Sequence, residues 1–344
     1  MSGLVRDLTD EECRAALVCK WGEVDADVLP AWVAEMDYAV AEPITAALHR
    51  AVERGMTGYP ALGGGGALGE AYAGFAKRQF GHEIDPGQVV PTVDVTAGVR
   101  LALDVVARPG GLVMPVPGYS PQLAMAEITG RERFDLVVDP DAERAELDLD
   151  QLDRHFRDGA AALLLTQPHN PWGRAFTRDE LEGVRDVVTR HGGVVISDEI
   201  HAPLVLDGAE HVPYLAIEGT AEHTVAVVAA SKAFNIAGLK CAQLVATSPT
   251  LSAALASAPM ARNDSWSVLG VEGSIAAYTH GDAWLADLRA RLSAQRDLLI
   301  DLLAHHLPQA RMRPLEATYL AWIDLRAYGH DDPAAVALER ERVQ

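Results

Sequence analysis

From about residue 43 the chain alternates between two hydrophobic periodicities. In EPITAALHRAVERG, Ile44, Ala47, Leu48, Ala51 and Val52 recur at the spacing of one helical face. Pro43 suits the first turn of that helix and Gly55 its stop. Other segments are apolar throughout: GGLVMPVPGY, AALLLTQPHNP, VVISDEIH and TVAVVAASK. Between two of them lies TRDELEGVRDVVTRHGG, opened by a capping box of Thr177 and Glu180 and closed by glycine. Apolar strands separated by amphipathic helices predict a mostly parallel sheet covered on both faces, an α/β fold.

The pattern changes further on. DAWLADLRARLSAQRDLLIDLLAHHL reads as one long helix with Trp284, Leu288, Leu292, Leu299 and Leu303 near heptad spacing, and TYLAWIDL reads as a strand. These segments predict a large domain over residues 43–264 and a smaller α/β domain over 265–344. The segment 1–42 is expected to pack on the smaller one.

Composition narrows the function. The 344 residues carry 29 Lys plus Arg against 49 Asp plus Glu, a formal charge of −20. That balance disfavours nucleic acid and anionic membranes as partners, and leaves a locally basic pocket for a small ligand possible. No apolar run reaches the ~18 residues of a membrane span. The N-terminus lacks the basic start and apolar stretch of a secretory signal. Cys13, Cys19 and Cys241 form no C-x-x-C pair, so neither a disulfide framework nor a zinc ribbon is indicated. A cytoplasmic protein is the expectation.

The chemistry is concentrated where strands end. A parallel sheet binds ligands at the carboxyl ends of its strands. There the sequence places Asn170, then Asp198 and His201, then Ser231 and Lys232. A buried lysine is costly unless it is paired, neutralised or chemically used. A carboxylate, an amide and a lysine on one rim suit a cofactor with a cationic ring nitrogen, a ring oxygen and an aldehyde, which is pyridoxal 5'-phosphate.

The segments TQPHNPWGRAFTRDEL, VVISDEIHAPLVL and SKAFNIAGLK resemble fold-type I pyridoxal-phosphate enzymes of the aminotransferase class I/II superfamily. Together with KWGE, AWVAEMDY and GMTGYP, they are most similar to the cystathionine β-lyase-like carbon–sulfur lyases of the MalY/PatB type. The resemblance implies that Lys232 carries the cofactor through its ε-nitrogen and then moves the α-proton. By the same resemblance Asp198 pairs with the pyridine nitrogen, Asn170 and His201 approach the phenolic oxygen, and Tyr119 stacks on the ring. The phosphate is expected at the helix opening formed by Ala97, Gly98 and Val99, aided by Ser231 and Lys240. Tyr59 matches a tyrosine that reaches the neighbouring subunit's phosphate, which implies a homodimer with shared active sites.

Two other patterns are set aside. Gly64, Gly66 and Gly69 spell a dinucleotide fingerprint, but no strand precedes them, so a glycine loop near the cofactor is the better expectation. His169, His201, Asp198 and Glu199 could be drawn as a metal site, yet the pyridoxal phosphate assignment accounts for them with fewer assumptions.

One departure stands out. The family's arginine for the substrate carboxylate lies in a stretch beyond TYLAWIDL, and Arg340 and Arg342 do not match it. A truncated C-terminus is the expectation, ahead of a different residue for the carboxylate or impaired turnover. Taken over its whole length, the resemblance implies β-elimination of cystathionine or a related cysteine S-conjugate to thiol, pyruvate and ammonia. The alternatives are an aminotransferase and a catalytically impaired protein of the same fold.

Overall fold

The structure is a computed structural model that describes residues 3–61, 66–263 and 265–344. Gly64 of the glycine run lies outside them. Seven strands form the main sheet: β1 (Val89–Thr92), β2 (Gly111–Val116), β3 (Arg133–Val137), β4 (Ala160–Thr166), β5 (Val194–Asp198), β6 (Thr224–Val228) and β7 (Ala242–Val245). Their order is β1-β7-β6-β5-β4-β2-β3. From β3 to β6 all neighbours run parallel, whereas β7 is antiparallel to both β6 and β1.

Strands β4 and β6 are buried at every position, which is why the sequence shows no alternation there. Successive residues still feed different cores. Leu164, Ile196 and Val225 join Val99 and Leu103 of the helix Val95–Val106 on one face. Leu163, Leu165 and Val195 join Leu181 and Val184 of the helix Arg178–His191 on the other. That second helix opens with the expected capping box and closes at Gly192 in the left-handed conformation. The register sets Thr166 of β4 level with Asp198 of β5, and Asp198 level with Val227 of β6. Three carboxyl ends therefore finish together at one rim.

A third core gathers Val5 and Met36 from the N-terminal segment, Ile44, Phe75, Phe234, Trp284 and Leu288. The helix Val268–His280 packs against the helices Glu42–Glu53 and Gly66–Phe80.

Three sequence expectations are corrected. Val52 is exposed, while Ile44 and Ala51 are fully buried, so the apolar stripe of the first helix is narrower than the spacing suggested. In the helix Asp282–His306, Trp284, Leu288 and Leu292 are buried, but Leu299 and Leu303 in its last two turns are only half-buried. The expected strand over TYLAWIDL shrinks to β9 (Ile323–Asp324), paired with β8 (Arg311–Met312). Thr318 accounts for this: its φ of 72° breaks extended structure, and its hydroxyl accepts from the Leu320 amide.

Candidate active site

Lys232 and Asp198 meet at the rim of β5 and β6, in a cavity of ≈ 190 Å³ that Tyr119, Asn170, His201, Ser231 and Lys240 also line. Lys232 Nζ donates to the carbonyl of Ala34 at 2.9 Å. Burial lowers the lysine's proton affinity, against the pull of the Glu35 and Asp198 carboxylates. The amine is thereby moved toward the neutral form that a base or nucleophile needs.

Ala34 belongs to a strap that crosses the site. Asn235 holds it by accepting from the Met36 amide at 3.0 Å and donating to the Met36 carbonyl at 2.7 Å. Lys20 ties it from below, donating to Asp37 Oδ2 at 2.8 Å and to the Glu35 carbonyl at 3.1 Å. Tyr319 Oη donates to the same Ala34 carbonyl at 3.2 Å.

Asp198 is buried at the end of β5. Its Oδ1 accepts from the Ile200 amide at 3.1 Å and its Oδ2 from Gln122 Nε2. Burial outweighs these donors and pushes the carboxyl up to about 6. His201, also buried, is pushed down to about 3 by burial and by the nearby Lys232 charge, so it is a neutral imidazole at physiological pH. Its Nδ1 has no hydrogen-bond partner among the described residues.

The phosphate end differs from expectation. The helix Val95–Val106 starts earlier than the expected trio implies, capped by Asp94. The Ala97 amide donates to Asp94 Oδ1 at 2.9 Å, and the Gly98 amide to the Asp94 carbonyl. Val99 is fully buried in the core. At Gly98 a Cβ would meet Val227 at 3.0 Å and Thr92 at 3.1 Å, so this glycine lets the helix lie close on the sheet. The residues of the helix start that line the cavity are Asp94, Val95 and Thr96. Lys240 Nζ lies 3.0 Å from Asp94 Oδ2 and offsets its charge at that end.

Tyr119 is half-exposed over the cavity, as a residue with an open ring face must be to stack on a ligand. Tyr59, at 95% exposure, does not join the cavity of its own chain. Sequence reasoning missed Gln122, Thr166 and the Ala34 carbonyl. The first two look like ordinary polar positions on a helix and a strand, and a backbone carbonyl carries no residue signature. Arg340 is exposed and Arg342 pairs with Asp25 and Asp27, so neither arginine lines the cavity.

This donor set fits pyridoxal phosphate. A buried carboxylate faces an open space, a lysine of lowered basicity stands beside it, and a buried imidazole keeps an unpartnered nitrogen. A helix N-terminus and Lys240 supply the anion-binding end.

Comparisons with known proteins agree. Residues 22–344 match the family described as aminotransferase class I and II. The cystathionine beta-lyase of Corynebacterium glutamicum is 32% identical over 96% of this chain and 88% of its own. The cystathionine beta-lyase PatB of Bacillus subtilis is 31% identical over 89% of this chain and 80% of its own. A solved structure from Corynebacterium diphtheriae, put forward as a PLP-dependent beta-cystathionase, superposes with a TM-score of 0.93 at 32% identity, covering 98% of this chain and 89% of that one.

Proposed function

The chain belongs to the aminotransferase class I and II family, and from that membership we propose that it is a pyridoxal-phosphate-dependent carbon–sulfur β-lyase. It converts cystathionine, or a related cysteine S-conjugate, and water into a thiol, pyruvate and ammonia. The observation that carries the reading is the convergence of Lys232, Asp198, Asn170 and His201 on one cavity. Relatives named as cystathionine beta-lyases at 31–32% identity support the lyase branch.

Bound pyridoxal phosphate supplies an electron sink for the pair of electrons left when the α-proton departs. Lys232 would hold it, with Asp198 at its ring nitrogen, Asn170 and His201 at its phenolic oxygen, and Tyr119 against its face. Val95, Thr96, Ser231 and Lys240 would hold the phosphate. An ionised Asp198 would hold a proton on that ring nitrogen. Lys232 Nζ would take the α-proton as a general base, and burial, which moves the amine toward its neutral form, favours that role. His201 stays neutral and can donate or accept without adding charge.

We further propose that the protein acts in the cytoplasm as a homodimer; Tyr59, exposed and outside the cavity of its own chain, supports the dimer. The test is pyruvate release from cystathionine by the loaded protein, with free thiol measured in parallel and no keto acid added. Equal pyruvate and thiol are expected. Lys232→Ala should lose about 10²–10⁴-fold or more of the rate. Amino transfer that depends on an added keto acid, with no pyruvate, would overturn the reading in favour of an aminotransferase.

A further inference from the structure

Asp198 is approached from the neighbouring strand by a two-step relay. Thr166, level with Asp198 in the β4–β5 pairing, donates its hydroxyl to Gln122 Oε1 at 3.1 Å. Gln122 Nε2 in turn donates to Asp198 Oδ2. Thr166 is 7% exposed, Gln122 4% and Asp198 3%, so all three side chains of the relay are buried. Gln122 sits in the short helix Ser120–Leu123 that follows Tyr119, on the cavity wall.

The relay has a direction. An amide presents an acceptor at one end and a donor at the other. A hydroxyl proton directed at Oε1 leaves Nε2 facing the carboxylate, and an N–H facing a carboxylate favours its charged form. If the amide were turned over, an oxygen would face Asp198. That arrangement is favourable only when Asp198 carries a proton. The two orientations of Gln122 thus correspond to the two protonation states of Asp198. The Thr166 hydroxyl, which can donate to Oε1 or accept from Nε2, holds the amide against the carboxyl, and it donates to Oε1 in the orientation that meets an ionised Asp198.

We propose that Gln122 and Thr166 are positioning residues that keep Asp198 ionised and aimed into the cavity, Thr166 acting through Gln122. The inference rests on the reading that the cavity takes pyridoxal phosphate, whose ring nitrogen an ionised Asp198 would hold protonated. The other groups around Asp198 are Lys232 from the end of β6, Glu199 and His201 from its own strand end, and Tyr119 from the turn after β2. Lys232 assists ionisation and Glu199 opposes it. None of them is changed by substitution at 122 or 166.

The experiment uses pyridoxal phosphate labelled with ¹⁵N in the ring, loaded into wild type, Gln122→Leu, Gln122→Glu, Thr166→Val and Thr166→Ser. The ring-nitrogen resonance at pH 7 and the affinity of the unloaded protein for the cofactor are measured together. In Gln122→Leu the resonance moves toward the unprotonated value, because the shared proton shifts onto the carboxylate. Its affinity falls about tenfold or more, the effect of losing one hydrogen bond to a charged group. Gln122→Glu stays closer to the wild-type resonance than Gln122→Leu, since two facing carboxyls share one proton and the shared proton still donates to Asp198. Thr166→Val gives a smaller shift of the same sign, and Thr166→Ser restores the wild-type value.

A wild-type resonance and affinity in Gln122→Leu would overturn the proposal, as would lower thermal stability with the resonance unmoved, which marks a packing role only. If Gln122→Leu does not fold, Thr166→Val against Thr166→Ser decides in the same way. A wild-type protein that takes up no pyridoxal phosphate overturns this inference and the proposed function together. Uptake by wild type with all variants alike overturns this inference alone.

Discussion

Two adjacent carboxylates at the end of β5 have opposite fates. Glu199 is 4% exposed and Asp198 3%, so burial treats them alike. Around Glu199, Oε1 accepts from Ser197 Oγ at 2.9 Å and from the Tyr214 amide at 2.9 Å, and Oε2 lies 3.2 Å from His211 Nε2. Burial pushes Glu199 up, but these partners outweigh it and the group sits below the ordinary glutamate value. Asp198 has only the Ile200 amide and Gln122 among the described residues, and burial pushes it up to about 6. Glu199 borders a recess of only ≈ 10 Å³, whereas Asp198 faces the cavity. A buried carboxylate whose partners are complete is architecture, and one left short of partners beside an open space is a site awaiting a cation.

The contrast can be broken in three ways. The largest effect is expected from Asp198→Asn, which removes the charge that would face the cofactor. Its turnover should fall about 10²–10³-fold, the usual result of deleting one preorganised electrostatic partner. Steady-state pyruvate release measures it, and a variant within threefold of wild type would remove Asp198 from the chemistry. Next comes His211→Leu, which strips Glu199 of a partner inside the core. Urea denaturation should show a loss of about 3 kcal/mol, with turnover per folded molecule close to wild type. Unchanged stability would mean that the two carboxylates do not differ as described.

The smallest effect is a pH dependence of the cofactor-free protein. Asp198 titrates near 3.8 when unfolded and at about 6 when folded. Between those values the folded state binds more protons, so Asp198's contribution to stability falls as pH rises through the window. The loss amounts to about 1–3 kcal/mol, at 1.36 kcal/mol per pH unit of difference. Comparing urea midpoints at pH 4 and pH 7 for wild type and Asp198→Asn isolates it, because the asparagine variant lacks this slope. Equal slopes in the two proteins would mean that burial does not penalise the Asp198 charge.

How much of this was legible follows from where the information sits. The strands ending at Thr166, Asp198 and near Lys232 could be read because a wholly apolar run that stops at a polar residue marks a buried strand reaching the edge of its sheet. The capping box at Thr177 could be read because it depends on residue type and spacing alone. The antiparallel placement of β7 could not, since pairing direction leaves no mark on AQLV. The helix opening at Asp94 was misplaced because Val95 to Val99 are all helix-compatible, and only the Asp94 bond to Ala97 fixes the start. Gln122 and Thr166 stayed hidden for a different reason. Each is polar within a short element, and their importance depends on a contact spanning 76 positions from Gln122 to Asp198.

The strap over Lys232 has a consequence in time. Ala34 precedes Lys232 by 198 positions and Tyr319 by 285. At ~5–20 residues per second of synthesis, the Ala34 carbonyl emerges roughly 10–40 s before its lysine and 15–60 s before its tyrosine. Throughout that interval the strap lacks the Lys232 and Tyr319 side chains that bond its Ala34 carbonyl. The site is therefore among the last parts of the molecule to be assembled, and a chain released before Tyr319 would present the rim of β4, β5 and β6 without its tyrosine clamp.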